Sequence, residues 1–242
     1  MAKRPVFIVN ESGLNFVDVE LIEFEWVPGM AISQKQKSIA SLHREIFSRA
    51  QSQPLEISGK SSQEIGVKLS AFNLAFEQPK DKKLVTVESA FQGSKFFEGF
   101  GSFPNLYEKS AREAKKFVNQ LPNNARLERF VFYGQEWPLI PVTLFYDWLY
   151  VNTLKKNPEL AKSVCEYDYF TDIEFNPKKS INCQAYSAAL YVSLERRGLL
   201  LEATKEKDAF IDMLGSQPEW IMQTEYRKFH AEVLPFGAPE RP

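Results

Sequence analysis

Histidine and cysteine are scarce in this chain: His43 and His230 are its only histidines, and Cys165 and Cys183 its only cysteines. Neither cysteine belongs to a Cys-x-x-Cys pair or a Cys/His cluster, so a zinc site of the usual ligand number would need carboxylates, and no such motif is present. No metal and no cofactor are expected, His43 reads as a surface or satisfied core histidine, and both thiols are expected to be reduced. A basic excess is also missing. With 30 Lys+Arg against 31 Asp+Glu the net charge is −1, which argues against a dedicated high-affinity nucleic-acid binder and leaves weak or local contact open. There is no Gly-rich phosphate loop, since Phe91-Gln-Gly-Ser-Lys-Phe96 lacks the Walker spacing and Gly99-Phe-Gly101 is too short for a dinucleotide fingerprint. A nucleophile elbow is absent as well. The apolar run at the amino end is too short for a secretory signal, and none approaches a membrane span, so a cytoplasmic protein without membrane contact is expected.

Aromatic residues, by contrast, are abundant: 20 Phe, 9 Tyr and 4 Trp in 242 residues that are 44% hydrophobic, enough for a substantial core. Strands are expected at Val6 to Val9 and Phe16 to Val27, joined by a turn at Glu11-Ser-Gly13, then a helix from Ile32 to Ala50 capped by Ser33, with Ile39, Leu42, Ile46 and Phe47 on one side. Pro54 to Ser58 reads as a strand, and Val67 to Phe76 and Lys83 to Val87 as strands around a charged turn whose Lys80, Lys82 and Lys83 are candidates for phosphate contact. Further helices are expected over Pro104 to Asn119, Val142 to Leu154, Pro158 to Tyr167 with Asn157 as cap, Ile181 to Arg197, Lys207 to Leu214 and Pro218 to Val233. Strands are expected over Leu127 to Tyr133 and Asp168 to Phe175, and a loop holding Trp137 over Gly134 to Pro141. Strands and helices do not alternate as parallel crossover units would, so the fold class is α+β: one domain, mainly helical, with a small and mostly antiparallel sheet.

The stretch with most chemistry is Leu84-Val-Thr-Val-Glu-Ser-Ala-Phe-Gln-Gly-Ser-Lys95, read as a strand entering a helix that ends at Gly99 and Gly101. At about 100° per residue, Glu88, Gln92 and Lys95 share one face with Phe91 at its border. A carboxylate and an amine beside an aromatic are candidate chemistry, and a plain surface ion pair fits the spacing equally well.

Thr86-Val-Glu-Ser-Ala-Phe-Gln-Gly-Ser-Lys95 resembles the hallmark of the NADAR (YbiA-like) N-glycosidase family, approximately Thr-Val-Glu-His-Tyr-Phe-Gln-Ala-Gln-Lys. Leu69-Ser-Ala-Phe72 is similar to the family's Leu-Ser-Asn-Phe. Trp137 stands ahead of Asn157-Pro-Glu-Leu160, and Ile173-Glu174 ahead of Asn182, in the family's order. Two departures stand out: Ala71 replaces asparagine, and Ser89-Ala90 replaces His-Tyr. The family core is placed at residues 55–198, with an amino-terminal strand and helix extension over 1–54 and a carboxy-terminal helical extension over 199–242. Tyr146-Asp-Trp-Leu-Tyr150 and Asp172 to Gln184 look most like the subgroup associated with DarT-type DNA ADP-ribosyltransferase toxins.

That resemblance implies an antitoxin that hydrolyses the bond between ADP-ribose and the guanine amino group in single-stranded DNA, paired functionally with its toxin. Two alternatives are a small-molecule N-glycosidase acting on phosphoribosyl-amine metabolites and a non-enzymatic, toxin-binding antitoxin. Lys95 is the candidate Schiff-base amine and Glu88 the proton shuttle; Glu88 with Glu174 or Asp172 would instead supply a two-carboxylate scheme. Candidate substrate contacts are Trp137 for stacking, Asn182 for a hydrogen bond to ribose or phosphate, and Gln92, Phe91, Ser70 and Phe72. Lys178, Lys179, Arg196 and Arg197 are further candidates for pyrophosphate or DNA.

Overall fold

A computed structural model describes residues 1–175 and 182–215. At the amino end, strands β1 (Ala2–Val9) and β2 (Val17–Phe24) pair antiparallel from Ala2 opposite Phe24 to Val9 opposite Val17. Helix α1 (Ile32–Ala50) lays Ile39, Leu42 and Ile46 on this hairpin, where they form a separate small core with Val6, Ile22 and Phe24. Phe47, expected on the same face, is exposed, because it lies a further ~100° round from Ile46. Ser33 is inside the helix, and Ala31 is the residue at the cap; its N–H donates to Gln34 Oε1 at 3.2 Å.

The chain then runs through β3 (Leu55–Glu56), α2 (Glu64–Lys68), β4 (Ala75–Glu77), β5 (Leu84–Thr86), α3 (Val87–Ser94) and β6 (Lys95–Phe97). A 3-10 turn (Pro104–Glu108) and α4 (Ala111–Asn119) follow, then β7 (Leu127–Phe132), β8 (Gln135–Trp137), α5 (Leu144–Lys155) and α6 (Pro158–Val164). The described part ends with β9 (Tyr169–Thr171), α7 (Gln184–Arg196), α8 (Leu200–Ala203) and α9 (Lys207–Leu214). The helix expected over Pro218 to Val233 lies outside the described residues. The sheets are small: β2-β1-β9-β3, in which only β9 and β3 are parallel, then the β4-β5 hairpin, and β6-β7-β8. This is a single α+β domain. No helix among the described residues is long and apolar enough to cross a membrane.

Several boundaries differ from those the sequence suggests, each for a local reason. Residues 67–74 are not strand: α2 ends in turns that leave only Ala75–Glu77 to pair with β5. The helix expected over Pro104 to Asn119 is cut at Ser110, whose hydroxyl caps α4 while Glu113 returns a hydrogen bond to the Ser110 N–H at 3.1 Å. Trp137 is on a strand, because Tyr133 (φ +47°) and Gly134 (φ +81°) make a tight turn with both residues left-handed, returning the chain against β7. Asn157 does not cap α6 with its side chain; its amide donates to the carbonyls of Ala75 at 2.9 Å and Thr153 at 2.8 Å. Helix α7 starts at Gln184, so Asn182 precedes the capping residue Cys183.

Helices α5 and α7 form the middle of the main core. Helix α5 is buried nearly all round, through Leu144, Phe145, Leu149, Tyr150, Val151 and Leu154. Ala185, Ala188 and Ala189 of α7 are fully buried, the small side chains that let neighbouring elements approach closely. Arg196 and Arg197, candidates for substrate phosphate, are used instead to fasten the first hairpin. Arg196 pairs with Glu11 and Asp168, each at 2.7 Å, and Arg197 donates to the carbonyls of Asn10, Ser12, Gly13 and Asn15.

Candidate active site

Helix α3 has no free choice of position. Thr86 caps it by accepting from Ser89 N–H at 3.1 Å, and Glu88 N–H donates to Ala71 O at 2.9 Å, tying the first turn to the 70–72 loop. Every residue of α3 is buried. A Cβ on Gly93 would stand 2.6 Å from Tyr107 Cε1 and 2.9 Å from Phe103 O, so glycine lets the 3-10 turn close on the helix. Glu88 lies in the first turn of the helix.

Around Glu88 Oε1 two donors converge: Gln92 Nε2 at 2.9 Å and Lys115 Nζ at 3.4 Å. The other amide atom of Gln92, Oε1, is buried without a hydrogen-bond partner among the described residues. Lys115 comes from α4, and its ammonium stands 5.3 Å above the Phe72 ring, a ring that is 39% exposed.

Lys95 does not continue α3. The helix stops at Ser94, and Lys95 takes an extended conformation (φ −62°, ψ 120°) as the first residue of β6. It nevertheless stays with Glu88, because β6 is fixed by its register: Lys95 lies opposite Phe130, and Phe130 opposite Trp137. Residues opposite each other share a sheet face, so Lys95 stands over aromatic packing. Its Nζ is 4.8 Å from the Phe91 ring centroid, and Phe91 packs on Phe130 at 5.3 Å and on Tyr146 at 5.1 Å. The Lys95 side chain as a whole is half-buried, and removal of its ammonium from water lowers its pKa to about 8; Glu88 opposes that shift and Lys115 adds to it. The plain Glu88–Lys95 ion pair is not formed: Glu88 pairs with Lys115.

A second buried network backs the first. Gln184 Oε1 accepts from Ala71 N–H at 2.7 Å and Ser70 Oγ at 3.4 Å, while its Nε2 donates to Ile57 O at 2.6 Å and Asp172 Oδ2 at 2.9 Å. Asp172 also accepts from the N–H groups of Glu174 at 3.0 Å and Phe175 at 3.1 Å. Beside it Glu56 accepts from Ser58, Thr171 and Ile173 N–H. Burial pushes both carboxyl groups upward in pKa, with the charge of Glu174 adding to the shift of Glu56 and that of Glu56 adding to the shift of Asp172. Tyr146, fully buried, feels both Glu88 and Asp172, and its phenol is held far above its usual range by burial first and these charges second.

The structure thus brings Glu88, Gln92, Lys95, Phe91 and Phe72 together and leaves other sequence candidates apart. Trp137 is 1% exposed, packed on Trp148 at 4.7 Å and Phe145 at 5.5 Å; it is a core anchor beneath the sheet, and stacking on a ligand is corrected to packing. Glu174 is exposed and pairs with Lys35 at 3.7 Å, away from Glu88. Ser70 is buried and spent on Gln184. Asp172 has three N–H donors on its carboxyl and reaches the site only through Gln184 and Tyr146. Asn182 is partly buried just before α7. Lys178 and Lys179 lie outside the described residues. Lys83 pairs with Asp81 and Glu108, each at 3.2 Å, and Lys82 lines an open cleft of about 500 Å³ with Phe76, Leu84, Lys156 and Asn157, a lining that includes neither Glu88 nor Lys95. The departures at Ala71, Ser89 and Ala90 are all buried, and the Ser89 hydroxyl donates to Lys109 O at 2.9 Å, so these are packing positions. His43 is a satisfied histidine: Nε2 meets Thr171 Oγ1 at 2.9 Å, and burial lowers its pKa to about 4. Lys115 and Gln184 were not singled out from sequence. The single signal for Lys115 is its place in a basic run on an amphipathic helix, and nothing local distinguishes Gln184.

A mainly helical α+β domain in which a glutamate and a lysine meet where a buried helix turns into a strand defines the class: a NADAR-type protein. Residues 2–221 match the model of the DarT1-associated NADAR antitoxins, and the chain belongs to that family. No curated protein matches it.

Proposed function

We propose that this antitoxin is a DNA ADP-ribosylglycohydrolase, which cleaves the bond between ADP-ribose and the guanine amino nitrogen and so reverses the modification made by a DarT1 toxin. The observation that carries the reading is Lys95: an amine beside an aromatic ring, with a pKa near 8, adjoining a carboxylate held by Gln92 and Lys115. Opening of the ribose ring breaks the C1–O4 bond, the ring oxygen takes a proton from water that is given back when the ring of the product closes, and C1 is left as an iminium on the guanine nitrogen. The free amine of Lys95 adds to C1 and gives up a proton to Glu88. Glu88 returns that proton to the guanine nitrogen, which departs as the amine and leaves C1 bound to Lys95 as a Schiff base. Water adds, Lys95 leaves as the amine, and the products are ADP-ribose and unmodified guanine.

The two-carboxylate scheme has less support. Asp172 is enclosed by N–H donors, and Glu174 is exposed on Lys35, so neither is poised to activate a water opposite Glu88. The partnerless Gln92 Oε1 offers an acceptor to a substrate N–H or O–H.

The test is incubation with single-stranded oligonucleotides ADP-ribosylated on guanine or on thymine, with borohydride added in parallel. Release from guanine alone, and a reduced adduct on Lys95, are expected; Lys95→Ala and Glu88→Gln lower release by at least about 10²-fold in folded protein. Turnover of phosphoribosyl-amine nucleotides without release from DNA would replace the reading with a small-molecule glycosidase. Neutralisation of the toxin by a stable complex that survives both substitutions would replace it with a binding antitoxin.

A further inference from the structure

Besides Lys115, which pairs with Glu88, the solvent face of α4 carries charge that the cleavage scheme does not use. Lys109 precedes the helix, and Arg112, Lys115 and Lys116 follow at intervals of three or four residues, so they lie along one side. All four are exposed. Residues 109–116 hold these four cations against one acid, Glu113, on a chain whose net charge is −1. That acid is engaged: Glu113 Oε2 accepts from the Ser110 N–H at 3.1 Å and the Ser110 hydroxyl at 2.6 Å. Among the described residues Arg112 and Lys116 have neither a hydrogen bond nor an ion pair from their side chains.

The stripe leads to the site. Lys115 bonds Glu88 Oε1 at 3.4 Å and stands 5.3 Å from the Phe72 ring centroid. Phe72 and Phe117, 39% and 40% exposed, border the cations. Cations at helical spacing with exposed rings beside them are the two elements by which proteins hold single strands: charge follows the phosphates, and rings take the faces of bases.

We infer that this face of α4 is a track for the sugar–phosphate backbone of a single-stranded nucleic acid, with Arg112 and Lys116 on phosphates beside the nucleotide whose substituent enters at Glu88. The direction of the strand toward Glu88 rests on the glycosidase reading; the track does not.

Binding of an unmodified, fluorescein-labelled single-stranded oligonucleotide to the full chain is measured by anisotropy across a salt series. The double variant Arg112→Gln/Lys116→Gln is compared with Lys162→Gln/Lys205→Gln, which removes two exposed lysines elsewhere. The first lowers the slope of log affinity against log salt by about 1.4, at ~0.7 per phosphate contact, and weakens binding about 25-fold near ~0.1 M salt. The second changes neither. Equal effects of the two variants, or an unchanged slope in the first, overturn the track. A second arm compares turnover of an ADP-ribosylated oligonucleotide with that of ADP-ribosylated guanosine; the first variant lowers the ratio of the two. Wild-type protein that turns over neither substrate refutes the glycosidase reading, and the anisotropy arm then still decides the track.

Discussion

The titration of Lys95 is the property on which the proposed chemistry turns. Its pKa falls from 10.5 to about 8, with burial as the largest cause. At pH 7 a group of pKa about 8 is roughly one-tenth free amine, against about one part in 3,000 at 10.5, a gain of about 300-fold in the nucleophilic form. Because only the free amine is acylated, the rate of Lys95 modification by a small acylating reagent, followed by peptide mass spectrometry, reaches half its plateau near pH 8. The two neighbouring charges act in opposite senses, and so do their removals. Lys115→Met removes a like charge and moves the midpoint up, while Glu88→Gln removes an opposite charge and moves it down. A wild-type midpoint near that of ordinary lysines, about 10.4, would refute the reasoning, since a fully hydrated ammonium has no reason to give up its proton at neutral pH. So would two variants that shift the same way. The assay needs no substrate and judges the site independently of any reaction.

Trp137→Ala costs about 3–5 kcal/mol of stability in urea denaturation, as expected for a buried indole; unchanged stability with a raised KM would instead restore a ligand-stacking role. Gln184→Leu leaves the Ala71 N–H, the Ile57 carbonyl and Asp172 each short of a partner, at about 1–3 kcal/mol per buried group, and hydrogen exchange at the Ala71 and Glu88 amides accelerates; exchange unchanged at both would show that the loop does not depend on Gln184. The His43 ring remains neutral on acidification until about pH 4, read from its nitrogen chemical shifts, and a midpoint near the ordinary 6.5 would mean that water reaches Thr171.

What was legible in the sequence was mostly local. The β1–β2 hairpin, α1 with its bounds, and the meeting of Glu88, Gln92 and Phe91 on one turn of helix all follow from periodicity and turn residues. Lys95 shows where periodicity fails: its spacing from Glu88 placed it on the helix face, yet α3 ends at Ser94 and the lysine is delivered by strand register. It arrives near Glu88 for a reason that a helical wheel does not contain. Trp137 fails in the opposite way. Its neighbours Gly134 and Pro138 suggest a loop, but two left-handed residues at the turn fold it back as β8 and bury it. Lys115 and Gln184 are illegible because each acts on residues far along the chain, across helix packing that no window of sequence displays.

The distant network explains how a short loop can position a carboxylate. Glu88 is anchored by its N–H on Ala71 O, Ala71 is anchored by its own N–H on Gln184, and Gln184 is held by Ile57 O and Asp172. Asp172 is therefore separated from Glu88 by the Gln184 side chain and the Ala71 backbone. Its burial beside Glu56 is electrostatically unfavourable, since desolvation raises both carboxyl groups and the Glu56 charge raises Asp172 further, and six hydrogen bonds to the pair offset that cost. A network of this kind fixes geometry more than it adds stability: an apolar replacement could fill the same space, but it could not orient Gln184. Asp172 thus supports the site through Gln184, and in the proposed scheme the chemistry falls to Lys95 and Glu88, whose charges act on each other.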